Sequence, residues 1–169
     1  MASRLKTYLM RSEEPLPPMA DVDEAVREIL QLYQANSGAT FSLYFGSLVG
    51  ERLYAVSVYP ERTYRTRTET ISPEVLKAYI EANHDLLNDP RCCVGIWRSE
   101  ETGFTYLDIS IALPNKRQVI QLGRRCGQEG VFDLFRMEYL PTGGMGEPPE
   151  DLPPIRERLP ALERGKRKR

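Results

Sequence analysis

The chain has 169 residues, 41% of them hydrophobic and 28% charged, and its 23 basic and 24 acidic side chains leave a formal charge of −1. This length suits one domain with a proper core rather than two, and the even balance of charge points to no polyanionic partner for the chain as a whole. Its apolar runs, such as "CCVGIW" and "ISIAL", fall far short of the roughly 20 residues that span a bilayer, so no membrane association is expected.

The first stretch, "MASRLKTYLMRSEE", lacks a sustained apolar segment and a small-residue cleavage site. Three cysteines, two of them adjacent, do not make a disulfide framework. Both features suggest a reducing, cytoplasmic setting. Residues 1–20 read as an amino-terminal segment followed by a proline-rich linker, "RSEEPLPPMA".

The domain itself is expected over residues 21–146. Asp21, Asp23 and Glu24 supply negative charge where a helix amino terminus favours it, and Val22, Val26, Ile29 and Tyr33 recur at helical spacing until "NSG" at 36–38. Phe41, Leu43 and Phe45 then alternate with other residues, as does "RLYAVSVY" at 52–59, which together suggest an antiparallel hairpin. The stretch "YPERTYRTRTETI" at 59–71 reads as an edge strand or loop, with Arg65 and Arg67 on one side and Tyr64, Thr66 and Thr68 on the other. Ser72 and Pro73 begin a second helix, whose apolar residues run from Val75 to Leu87.

"RCCVGIWRS" and "FTYLDISIAL" flank "EETG" and predict a hairpin. Asn115 caps a third helix over 116–126, with Val119, Leu122 and Cys126 inward and Gly127 as its stop. "VFDLFRMEYL" completes the set as a final strand. The order implies an α+β domain with a mixed or antiparallel sheet of about five strands and helices mainly on one face. Residues 147–169, rich in proline and ending in "RGKRKR", read as a flexible tail.

The run "YPERT", "HDLLNDPR", "VGIW", "YLDISIALPNKRQVIQLG", "GQEGVFDL" and "PTGG" resembles small uncharacterised α+β proteins of bacterial and mobile-element genomes, over roughly residues 39–146. The resemblance implies a bacterial origin and a self-contained domain. It brings no activity, cofactor or catalytic residue with it.

Several residues could carry chemistry. Cys92 and Cys93 point to opposite faces of a strand, so at most one lines a given pocket, and buried packing explains them more simply than nucleophilic catalysis. His84 is the only histidine, and no metal-ligand spacing is present, so neither a metal nor a cofactor is expected. Asp108 and Asp133 each interrupt an apolar strand. They either face the open side of a one-sided sheet or, if on one face of adjacent strands, form an acid/base pair.

The third helix carries Lys116, Arg117, Arg124 and Arg125 and no acid. Positive charge in its first turn opposes the helix dipole by a few tenths of a kcal/mol per residue, roughly. If the flanking strands are parallel neighbours, Lys116 and Arg117 would meet Thr142, Gly143 and Gly144 of "TGGMG" at one sheet edge, as an anion- or ligand-binding crevice. Two functions follow from these residues. The first is a non-enzymatic interaction module engaging an acidic protein surface or nucleic acid through the basic helix and tail. The alternative is a small enzyme or ligand-binding protein for a phosphorylated or nucleotide ligand at the 115–117 and 142–146 edge, with Asp108 or Asp133 as acid or base.

Overall fold

A computed structural model describes residues 4–11 and 15–160. Among them, the element order is α1 (Arg4–Met10), α2 (Val22–Asn36), β1 (Gly38–Ser42), β2 (Gly46–Ser47), β3 (Tyr54–Ser57), β4 (Tyr64–Thr66), α3 (Pro73–Ala82), α4 (His84–Leu87), β5 (Cys92–Arg98), β6 (Thr105–Leu113), α5 (Lys116–Arg125), β7 (Gly130–Asp133) and β8 (Glu138–Pro141). Helix and strand are mixed in one domain. The strands form a single antiparallel sheet of eight, in the order β2-β1-β5-β6-β3-β7-β8, with β4 also paired to β6.

The helices begin where their caps direct. The side chains of Asp21, Ser72 and Asn115 accept hydrogen bonds from the backbone N–H groups of Glu24, Val75 and Gln118, at 3.1, 3.2 and 2.9 Å. Each thereby satisfies one of the donors that a helix start leaves without a partner. α2 ends at Ser37, which adopts a left-handed conformation.

The β5–β6 hairpin forms as its sequence predicts, with Cys92 opposite Ile111 and Arg98 opposite Thr105. The other expected hairpin does not form. β1 pairs with β5 and the two-residue β2, whereas β3 lies between β6 and β7. β3 and β4 follow one another along the same edge of β6, at Ser110–Leu113 and Thr105–Leu107. They are separated by a short 3-10 turn at Pro60–Arg62. Proline lacks the N–H that a continuous ladder would require there.

The expected final strand is also two, because the chain reverses between Asp133 and Glu138. The Asp133 carboxylate accepts from the N–H groups of Phe135 and Arg136, each at 3.0 Å, and Met137 takes a positive φ of 54°. This division, the short β2, and β4 within the stretch 59–71 that reads as an edge strand or loop raise the strand count from about five to eight.

The principal core lies between the sheet and α2, α3 and α5. It contains Val26, Ile29, Phe41, Val56, Ile80, Val94, Ile96, Leu107, Ile109, Ile111 and Val119. A second core occupies part of the opposite face, where Leu5, Tyr8 and Leu9 of α1 cover Leu53, Ala55, Cys93, Ala112 and Leu134. The amino-terminal segment, read above as preceding the domain, is thus part of it.

The boundary at residue 146 also shifts. Leu152, Ile155 and Leu159 pack against the principal core. Arg158 donates to the Val58 carbonyl at 3.0 Å and pairs with Glu61, and Arg91 donates to the Pro160 carbonyl at 2.8 Å. Three apolar residues and two anchoring guanidiniums, those of Arg158 and Arg91, hold a segment whose proline content suggested a free tail. The "RGKRKR" end lies outside the described residues.

Candidate functional site

α5 is amphipathic in a simple way. Val119 and Gly123 are buried against the sheet. A Cβ at Gly123 would stand 2.9 Å from both Thr142 Cγ2 and Val131 Cγ1, so the missing side chain lets the helix approach the strands closely. The outward stripe of Lys116, Arg117, Ile120, Gln121 and Arg124 lines an open hollow of about 490 Å³. Among the described residues, no carboxylate lies within ion-pair distance of Lys116, Arg117, Arg124 or Arg125. Arg124 and Arg125 occupy the last turn, where the helix dipole favours positive charge. Lys116 and Arg117 lack that compensation.

The expected crevice with "TGGMG" does not form. β6 and β7 do run in the same direction, but β3 lies between them rather than their being neighbours. Leu113, Tyr54 and Asp133 form a row at the edge where α5 begins. β8 then reverses the chain, so Pro141 lies opposite Gly130 at the other edge. Thr142, Gly143 and Gly144 therefore meet the carboxyl end of α5.

There they form a clasp. The Arg124 guanidinium donates to the Thr142 carbonyl at 2.8 Å, the Thr142 hydroxyl donates to the Gln128 carbonyl, and Gly144 N–H donates to the Thr142 hydroxyl at 3.0 Å. Eight residue steps of α5, about 12 Å at 1.5 Å per residue, separate Lys116 from Arg124 of this clasp.

Asp108 and Asp133 are likewise kept apart. Asp133 is opposite Tyr54 and shares the helix-covered face with Leu113, and its carboxylate is engaged in the β7–β8 turn. Asp108 sits on the other face, between Tyr106 and Ser110 on alternate positions of β6. It accepts a 2.6 Å hydrogen bond from the Ser110 hydroxyl. Burial pushes its carboxyl pKa up, while the hydrogen bonds from Ser110 and Trp97 pull it back down. Gly95 lies opposite, and a Cβ there would stand 2.4 Å from Asp108 Oδ1. The carboxylate thus occupies the space that this glycine leaves. The two acids cannot exchange a proton with one substrate.

Among the described residues, no cysteine is placed as an activated nucleophile. All three cysteines are free and buried. Burial pushes the Cys92 thiol up to about 12, and raises those of Cys93 and Cys126 as well. His84 is exposed on α4, and the neighbouring Asp85 is held by Arg62 through two hydrogen bonds of 3.1 and 2.8 Å. Among the described residues, no three His, Cys, Asp or Glu side chains gather as a metal site. A smaller hollow of about 210 Å³ is lined by Leu30, Tyr33, Gln34, Thr70, Ile71 and Pro73, none of them charged.

Sequence reasoning missed one group of residues. Across four strands of the open face, Gly38, Trp97, Tyr106 and Arg65 stand in one row. The Trp97 and Tyr106 rings stack at 4.5 Å and 12°. Phe104 is tilted against Tyr106 at 6.1 Å, and the guanidiniums of Arg65 and Arg67 lie 4.9 and 5.0 Å from its ring centre. The hairpin register alone would have placed Trp97 opposite Tyr106; the alignment of β4 beside them is not visible in the sequence. No family model matches the chain, and comparison with curated proteins and with solved structures finds no match.

Proposed function

We propose that this chain is a non-enzymatic binding module that engages the phosphate backbone of nucleic acid through the outward face of α5. The observation that carries the reading is the absence of any ion-pair partner, among the described residues, for the four cations of that helix. Uncompensated charge on a rigid helix offers several phosphates a contact, and each contact releases condensed counterions. Lys116 and Arg117 are held against the local helix dipole at a small cost in stability, which an arriving anion would reverse. The dispersal of Asp108, Asp133, Lys116 and the 142–144 clasp leaves the enzymatic alternative without a common site. A role in a bacterial cell or mobile element, in the reducing cytoplasm, fits both the free cysteines and the resemblance noted above.

The test is the salt dependence of oligonucleotide binding, followed by fluorescence anisotropy on the full chain and on Lys116→Ala/Arg117→Ala. The double variant should bind more weakly, and its log–log salt slope should fall by about 2, or about 1 for each phosphate contact removed. An unchanged affinity and slope would contradict the assignment. Binding of an acidic polypeptide but of no oligonucleotide at low salt would transfer the same face to a protein partner.

A further inference from the structure

We propose that the outer end of the open sheet face, built from Trp97, Tyr106, Phe104, Arg65 and Arg67, is a stacking platform for the bases of single-stranded nucleic acid. This goes beyond the α5 reading and stands without it, because α5 packs on the opposite face of the sheet.

The row across the strands is the first support. Trp97 is 39% exposed, with Tyr106 stacked on one side of it. Its cross-strand neighbour on the other side is Gly38, which has no side chain to cover it. An aromatic ring is thus fixed on one flank and uncovered on the other, which is the geometry that a flat π-system needs in order to extend a stack.

Charge supplies the second support. Arg65 and Arg67 both lie over Phe104, and neither forms a salt bridge among the described residues. Two guanidiniums on one ring repel each other and together attract a phosphate. Positive charge at the rim of exposed aromatics is the combination by which single strands are held, through backbone contacts and sequence-tolerant stacking. A duplex hides its base faces and cannot use the slot beside Trp97. Asp108 lies below the rings toward the middle of the sheet, so phosphates belong on the arginine side and bases over Trp97.

Trp97 is the chain's sole tryptophan, so its emission reports this site and no other. The full chain is titrated with a twelve-residue oligothymidylate, with the same length of duplex, and with inorganic polyphosphate as a base-free polyanion. The oligothymidylate should quench the emission, while duplex and polyphosphate leave it unchanged. Tyr106→Leu, which retains an apolar strand residue but no π-face, and Arg65→Ala/Arg67→Ala should each weaken the quenching titration about tenfold. Unaltered quenching in both variants would overturn the proposal.

Absence of quenching by the oligothymidylate, or equal quenching by polyphosphate, would also overturn it. The two readings separate in the Lys116→Ala/Arg117→Ala chain. Persistent quenching there supports the platform on its own, whereas anisotropy-detected binding without quenching in the unaltered chain leaves α5 alone as the contact surface and sinks the platform.

Discussion

The two faces of the β5–β6 hairpin are made by alternate residues of the same strands, yet they differ in kind. On the helix-covered side, Val94, Ile96, Leu107, Ile109 and Ile111 are each at most 1% exposed and wholly apolar. On the other side, Gly95, Trp97, Tyr106, Asp108 and Ser110 follow one another at the same spacing. The first face is specified by volume and the second by hydrogen bonds, charge and the absence of side chains. α1 closes only the inner end of the second face, over Cys93 and Ala112, and leaves the outer end to the aromatic row.

That division can be broken most sharply at α1. Leu5→Ala should cost about 3 kcal/mol, the same as Leu107→Ala in the principal core, since both side chains are 0% exposed and each leaves a cavity. Equilibrium urea denaturation measures both. A loss within about 0.5 kcal/mol for Leu5→Ala, the range of an ordinary surface change, would mean that α1 does not complete the second core.

Gly127→Ala should have the next largest effect, near ~2 kcal/mol. Gly127 has a φ of +73°, and a Cβ there would stand 2.0 Å from the Glu147 carbonyl oxygen. Both the left-handed backbone and the passage of residues 147–160 require a glycine. A thermal shift no larger than that of an exposed loop substitution would detach that segment from the domain.

The adjacent cysteines offer a comparison within two residues. Reading them as one buried and one open residue predicts that only one serine replacement destabilises. With α1 in place, both are buried, on opposite faces. Cys92→Ser and Cys93→Ser should each cost about 1 to 2 kcal/mol, because each places a hydroxyl in a buried site. A change within about 0.5 kcal/mol for Cys93→Ser alone would mean that its face is open.

The smallest effect concerns Asp108. Its folded pKa is raised, so stability falls as pH rises from the ordinary aspartate value near ~3.9 to the raised folded value, and the protonated form carries no such penalty. Asp108→Asn should therefore stabilise the chain at neutral pH, with a gain that fades as pH falls through the ordinary aspartate range near ~3.9. Denaturation midpoints at several pH values test the sign. A variant less stable at neutral pH than at acid pH, relative to the parent chain, would show that the Ser110 and Trp97 hydrogen bonds outweigh burial.

What was legible in the sequence was local. Asp21, Ser72 and Asn115 marked helix starts because a cap bonds within its own first turn. "EETG" marked a hairpin because turn and strands are contiguous. Pairing across distance was not legible. Alternation identifies β1 and β3 as strands without saying that β5 and β6 will come between them. The β7–β8 reversal was hidden because alternation continues through "VFDLFRMEYL", and the turn depends on Asp133 and on the unusual backbone of Met137. That single reversal carries Thr142 to the wrong edge for the crevice expected with Lys116. The charge of α5, by contrast, could be counted directly.

Amide chemical-shift mapping of the isotope-labelled full chain with a short oligonucleotide tests the central claim directly, because every face of the sheet and every helix is observed at once. Perturbations should fall on Lys116–Arg125 and, with a single strand, on the open-face row of Arg65, Trp97 and Tyr106 as well, fade as salt is raised, and leave the helix-covered strand residues and the hollow at Leu30 and Pro73 unmoved. No perturbation of α5 at low salt, or shifts confined to that uncharged hollow, would contradict the account.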